Sequence, residues 1–156
     1  MKGNKIIIIA IIIMAVPFFY YDQSRKYFCI SEDKCVTVWK RVGGTCYIIS
    51  GKYTGWFKPK DDYIKTCNLS DLDIVWIDQL PNSIIIQQQS YYQYTIVNKN
   101  TNNLHIYRYE NNPDKFHSLI YNVGVTKYND IKAGVFRLSI DVRENYARTS
   151  DGRILR

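Results

Sequence analysis

The stretch Cys35-Val-Thr-Val-Trp-Lys-Arg-Val-Gly-Gly-Thr-Cys-Tyr-Ile-Ile-Ser50 is the clearest indication of the fold. β-branched and aromatic residues flank Gly43 and Gly44, and such residues favour strands. Glycine takes positive φ at little cost, so the pair predicts a hairpin with a two-residue turn. That turn would place Val42 opposite Thr45, Lys40 opposite Tyr47, and Val38 opposite Ile49.

The same composition continues along the chain, which contains 14 tyrosines. Residues 135–142 alternate cleanly, with Phe136, Leu138, Ile140 and Val142 on one face, as in a half-buried strand. Turn residues separate about seven to nine such short runs. The predicted fold is therefore mainly β, a small antiparallel sandwich or a curled sheet or barrel, preceded by an N-terminal hydrophobic helix.

The N-terminal segment predicts export. Lys2 and Lys5 precede an apolar run at residues 6–21, the layout of a secretory signal or signal anchor. As a helix this run would reach roughly 24 Å, against about 30 Å for the hydrocarbon core of a bilayer. Because no small-residue cleavage pattern surrounds Ala15, an uncleaved anchor is favoured. The membrane is thus an expected partner through residues 6–21, with the domain in the periplasm or outside the cell, or secreted if the segment is cleaved.

The sequence predicts three parts of the chain. Residues 1–21 are the signal anchor or signal peptide, and residues 22–142 are one extracytoplasmic β-rich domain. Residues 143–156 are polar and form a tail or a last hairpin. The chain carries 21 basic and 14 acidic side chains, for a formal net charge of +7. The basic residues are spread out, so no nucleic-acid-binding arm is expected, and a protein partner is favoured.

The four cysteines, Cys29, Cys35, Cys46 and Cys67, are expected to form disulfides in an exported chain. In the predicted hairpin, Cys35 and Cys46 would lie roughly 20 Å apart, too far for a bridge. Of the two remaining connectivities, we favour Cys29–Cys35 with Cys46–Cys67, because a tight turn at residues 31–33 would bring the first pair together. The spacing lacks a Cys-x-x-Cys pair, so neither a metal site nor a cofactor is predicted.

A second hairpin is predicted from residues 91–97 and 104–110, around the loop 98–103. In that register five polar aromatic side chains share one face, and they are the candidate binding residues: Tyr92, Tyr94, His105, Tyr107 and Tyr109. Tyrosine offers a large contact area with a polar end, which suits a binding surface. The alternative is ordinary cross-strand packing. Trp56 and Phe57, in the preceding loop 51–60, are expected to close over a core.

No catalytic motif is recognisable, and no catalytic residue is predicted. The leading hypothesis is a non-enzymatic, membrane-anchored interaction domain, either an accessory subunit of an envelope complex or an inhibitor or immunity protein. The alternative is a small secreted hydrolase acting on cell-wall or carbohydrate material. It requires one of four acids to approach a histidine or another acid in a cleft: Asp61, Asp62, Asp71 or Asp73.

Overall fold

A computed structural model describes residues 7–9, 11–13, 15–16, 25–88, 93–99, 104–121 and 134–156. Within these ranges strands are the main regular elements, with a single turn of 3-10 helix at Tyr109–Asn111 and one α-helix late in the chain. The elements are β1 (Arg25–Cys29), β2 (Cys35–Lys40), β3 (Thr45–Ser50), β4 (Tyr63–Cys67), β5 (Asp71–Ile77), β6 (Ser83–Gln88), β7 (Thr95–Val97), β8 (His105–Arg108), α1 (Pro113–Tyr121), β9 (Val135–Asp141), β10 (Tyr146–Thr149) and β11 (Ile154–Leu155).

The strands form two sheets. The first sheet has the order β1-β2-β3-β4-β7, and the second has the order β11-β10-β9-β5-β6-β8. Neighbouring strands are antiparallel, except that β8 runs parallel to β6. The prediction of a mainly β chain is confirmed. Both sheets keep open edges in the described residues, so the closed barrel that the sequence left open is not formed there.

One apolar core joins the inner faces of the two sheets. Strands β2 to β4 contribute buried side chains such as Val38, Ile48 and Ile64, and the second sheet contributes others such as Ile74 and Ile86. The alternation predicted for residues 135–142 is confirmed: Leu138, Ile140 and Val142 are buried in this core, and Phe136 packs against it.

Each sheet also has a covered outer face. On the second sheet, Phe116 and Ile120 of α1 pack on Val75, Ile85 and Val135, so β5 is buried on both sides. On the first sheet, a smaller cluster is built from Trp39, Ile49 and Tyr63, with Tyr47, Tyr53 and Val97 against it. The loop 51–60 supplies the cover there.

The first predicted hairpin exists, but its register is shifted by one residue. Lys40 pairs with Cys46, and the Arg41 amide donates to the Thr45 carbonyl at 2.8 Å. The turn therefore holds three residues, because exposed Val42 joins the two glycines, whose φ angles are +92° and +81°. Since side chains alternate along a strand, the shift turns Cys46 and Ile48 inward beside Val36 and Val38.

The second predicted hairpin is wrong. Strand β7 pairs with β4 in the first sheet, whereas β8 pairs with β6 in the second. The Asn98 side chain links the two segments without a strand ladder: it donates to the Leu104 carbonyl at 2.9 Å and accepts from the Ile106 amide at 3.2 Å. Each segment instead completes the edge of a separate sheet.

The predicted membrane partner through residues 6–21 is also wrong. Helical residues are described at 7–9, 11–13 and 15–16, and among the described residues no helix is long and apolar enough to cross a membrane.

At the other end, residues 143–156, predicted as a tail or a last hairpin, contain β10 and β11, which pair antiparallel. Strand β10 also pairs with β9. This segment is therefore part of the second sheet.

The Cys29–Cys35 disulfide is present and closes the turn between β1 and β2. The predicted Cys46–Cys67 bridge is not formed, and both are free thiols. Cys46 lies opposite Thr66 and points into the core, whereas Cys67 is one position further along β4 and lies opposite Thr45. Successive side chains point to opposite faces, so the two thiols diverge. Burial raises the pKa of the Cys46 thiol to about 12, which keeps it protonated.

Candidate functional site

Of the five predicted binding residues, the four that the structure describes do not share one face. Tyr92 lies outside the described residues. Tyr94 is buried; its hydroxyl donates to Glu110 at 3.2 Å, and the Arg108 guanidinium lies 4.5 Å from its ring centroid. Burial raises the pKa of the Tyr94 hydroxyl. Tyr94 therefore belongs to the packed interior.

The other three predicted residues lie around α1. His105 and Tyr107 of β8 stack with ring centroids 5.8 Å apart, and Tyr107 lies 5.6 Å from Phe116. The Tyr109 hydroxyl is 3.4 Å from Nδ1 of His117. These contacts hold the helix against the sheet, which favours the packing interpretation that the sequence left as the alternative.

A different aromatic surface lies on the outer side of the first sheet. We call it the basic aromatic face and define it by the strand residues Arg25, Trp39, Tyr47, Tyr63 and Lys65, by Arg41 directly after β2, and by the loop residues Tyr53, Trp56, Phe57 and Lys58. Strand alternation places no aspartate or glutamate of β1 to β4 on this side of the sheet.

Two arginines flank the buried Trp39 at the centre of this face. The Arg25 guanidinium lies 4.0 Å from the Trp39 ring centroid, and the Arg41 guanidinium lies 4.8 Å from it. Arg25 also donates to the Gly55 carbonyl at 2.6 Å. Arginine above an indole ring gains a cation–π attraction, so both cations are held in place by the sheet.

Tyrosines extend the aromatic layer beside Trp39. Tyr47 lies 6.2 Å from Trp39 and meets Tyr63 edge-on at 5.5 Å. The Lys58 ammonium is 3.0 Å from the Tyr63 hydroxyl, and this hydrogen bond raises the pKa of Lys58. Lys58 is therefore cationic over the whole physiological range.

The loop 51–60 is tied to the sheet by its own hydrogen bonds. The Thr37 hydroxyl donates to the Gly51 carbonyl at 2.7 Å and accepts from the Tyr53 amide at 2.7 Å. The Tyr53 hydroxyl donates to the Phe57 carbonyl. This anchoring fixes the loop on the sheet without using the side chains at its tip.

Trp56 and Phe57 at that tip are 74% and 83% exposed, so the prediction that they close over a core is wrong. Tyr53 of the same loop takes the covering position, with its ring 6.3 Å from Trp39. The two largest apolar side chains of the loop therefore face solvent beside a row of cations.

A cleft of about 410 Å³ opens where this loop meets the β2–β3 turn. Arg41 and Lys58 line it together with Tyr47, Thr45 and apolar side chains from the turn and the loop. The cleft thus combines positive charge, an aromatic wall and an apolar rim.

The four acids of the hydrolase alternative have different surroundings in the structure. Asp62 accepts a hydrogen bond from the Asn98 amide at 2.6 Å, and Asp73 is buried in β5. Asp71 lies directly opposite Asp141 on β9, and burial followed by the Asp141 charge raises the pKa of Asp71. Asp61 follows the loop, near Lys58. No group of three metal-binding side chains occurs among the residues that the structure describes.

Comparison with known proteins gives no relative: the chain matches no protein-family model, no curated protein and no solved structure. The function must therefore be argued from the geometry of the chain itself.

Proposed function

We propose that this chain is a non-enzymatic protein-interaction domain that binds its partner through the basic aromatic face. The observation that carries the proposal is the loop 51–60, which is fixed by hydrogen bonds yet presents Trp56 and Phe57 to solvent. Contiguous exposed aromatic residues are unusual on a monomer and are typical of an interaction site. Tryptophan and arginine are enriched among the residues that dominate binding energy.

The rest of the fold supports a rigid display of this surface. Two sheets over a common core, a sandwich-like arrangement, hold Trp39 and Tyr63 beneath the loop. A preorganised surface loses little conformational entropy on binding. The protein acts either as an accessory subunit of an envelope complex or as an inhibitor or immunity protein.

We also propose that the domain works outside the cytoplasm. The Cys29–Cys35 bridge supports this, because disulfides persist in oxidising compartments. The basic start and the apolar run at residues 6–21 favour an export signal. Intact mass after alkylation in denaturant should show one bridge and two blocked thiols, Cys46 and Cys67, in protein taken directly from cells. Four blocked thiols would contradict export.

Co-purification from the source cells tests the interaction. A stoichiometric partner should accompany the unmodified chain and be lost from the Trp56→Ser/Phe57→Ser double variant. The matched control, Leu69→Ser/Ile154→Ser, removes two exposed apolar side chains elsewhere and should retain the partner. Equal loss from both variants, or loss from neither, would contradict the proposal. Rescue of cells from one specific toxin would separate the inhibitor from the subunit.

The second candidate function is a small secreted hydrolase, and the Asp71–Asp141 pair favours it. Two facing carboxylates, one with a raised pKa, are the arrangement that acid–base hydrolysis of a glycosidic bond uses. Asp71→Asn and Asp141→Asn would each abolish release of sugar from cell-wall material without lowering the melting temperature. Absence of activity in the unmodified protein would remove this candidate.

A further inference from the structure

We propose that the cleft between Arg41 and Lys58 binds an acidic side chain of the partner protein, with Trp56 and Phe57 packing on apolar residues around it. This inference rests on the proposed function and specifies the chemistry of the partner.

The charge of the basic aromatic face has one sign. Arg25 and Lys65 are the charged strand positions on the outer side of β1 to β4, and Arg41 directly follows β2 beside Trp39. The nearby acids lie at its margin: Asp61 follows the loop, and Asp62 is bonded to Asn98. Complementary potentials steer association and select partners, so this surface favours an acidic one.

The cations at the cleft are placed before any partner arrives. The Arg41 guanidinium lies 4.8 Å from the Trp39 ring centroid, and the Lys58 ammonium is 3.0 Å from the Tyr63 hydroxyl and 5.0 Å from its ring centroid. Arginine binds carboxylates with two parallel hydrogen bonds, and lysine adds a point charge. Prior placement reduces the entropy lost on binding.

The apolar part of the site favours a protein over other anionic partners. Tyr47 forms one wall, while Val42 and Phe57 are exposed at the rim. A glutamate has an apolar stem and an anionic end, which match the apolar rim and the cationic walls of the cleft. Trp56 and Phe57 beside the cleft then supply the aromatic contact area that is enriched in protein interfaces.

The test uses the full chain and a labelled oligoglutamate peptide as the probe, with oligoglutamine as the neutral comparison. The Arg41→Gln/Lys58→Gln double variant should bind oligoglutamate about tenfold or more weakly, because charge-assisted hydrogen bonds are lost. The matched control is Lys115→Gln/Arg148→Gln, which removes the same charge from exposed positions on α1 and β10 and should bind as the unmodified chain does.

NMR titration of the unmodified chain keeps the proposal testable if the double variant does not fold. Oligoglutamate should shift the amide signals of Val42, Thr45 and Tyr47, and added salt should reverse the shifts. Four results would overturn the proposal: equal weakening in both double variants, equal binding of oligoglutamine, shifts confined to other residues, or preference for phosphatidylglycerol vesicles over the peptide. The co-purification test depends on Trp56 and Phe57 and not on charge. Failure to bind oligoglutamate would therefore contradict this inference and leave the proposed function standing.

Discussion

The outer faces of the two sheets are covered in different ways. On the second sheet, α1 buries Phe116 and Ile120 against β5, β6 and β9, because a helix can direct one side of its surface toward a sheet. On the first sheet, the loop 51–60 has no repeating period, and it contributes Tyr53 to the packing while Trp56 and Phe57 stay exposed. An apolar layer that a helix completes is structural, whereas one that a loop leaves incomplete is available to a partner.

The largest expected effect comes from the centre of the basic aromatic face. Trp39→Ala removes a fully buried ring and should lower the free energy of unfolding by about 4 kcal/mol. Phe116→Ala on the opposite side of the molecule should lower it by about 3 kcal/mol. Urea denaturation measures both. A loss below about 1 kcal/mol for Trp39→Ala would mean that the loop-covered layer contributes little to packing, unlike the helix-covered one.

The disulfide gives the next largest effect. A bridge across six residues restricts the unfolded chain, so Cys29→Ser/Cys35→Ser should lower the free energy of unfolding by about 2 kcal/mol. Reducing agent should lower the melting temperature of the unmodified protein and leave that of the double variant unchanged. Cys67→Ser, the free-thiol control, should keep the response to reducing agent. If Cys67→Ser abolished that response, the bridge assignment would be wrong.

On the helix-covered sheet, burial and then the charge of the facing Asp141 disfavour the ionised form of Asp71. Because the folded-state pKa of Asp71 is raised, the folded chain binds more protons than the unfolded chain, and stability falls as pH rises from about 4 through that raised value. Asp71→Asn removes this loss and should stabilise the protein by about 0.5 kcal/mol at neutral pH. Melting curves at pH 3 and pH 7 measure it. A larger stabilisation by Asp71→Asn at pH 3 than at pH 7 would contradict the raised pKa of Asp71.

The smallest expected effect on stability is at the loop tip. Trp56→Ser/Phe57→Ser should change the free energy of unfolding by less than about 0.5 kcal/mol, since both side chains are exposed. Thermal melting of this variant and of Trp39→Ala compares the exposed loop tip with the buried centre of the same face. A loss of several kcal/mol would show that the two side chains are structural and would remove the main support for a binding surface.

Sequence reasoning predicted the elements whose signal is local. The alternation of residues 135–142 identified β9 and its inner face, and the turn at residues 31–33 indicated the Cys29–Cys35 bridge. The register of the first hairpin depended on whether Val42 belongs to the strand or the turn, a difference that composition does not resolve.

The remaining features depend on contacts between distant segments. Strands β7 and β8 are close in sequence but complete different sheets. The hairpin on which the predicted tyrosine face depended is therefore not formed. The Asp71–Asp141 pair and the position of Tyr53 over Trp39 likewise arise from strand order. The interleaved cations and aromatics of residues 39–63 were the one sequence signal for the basic aromatic face.

Site-specific photo-crosslinking in the source cells tests the central claim most directly. A photoreactive phenylalanine analogue replaces Phe57 in one variant and Ile154, which is exposed on the second sheet, in the other. The account predicts one discrete crosslinked product at position 57, joined to an acidic segment of another protein, and none at position 154. Identical products at both positions, or a product at position 154 alone, would contradict it.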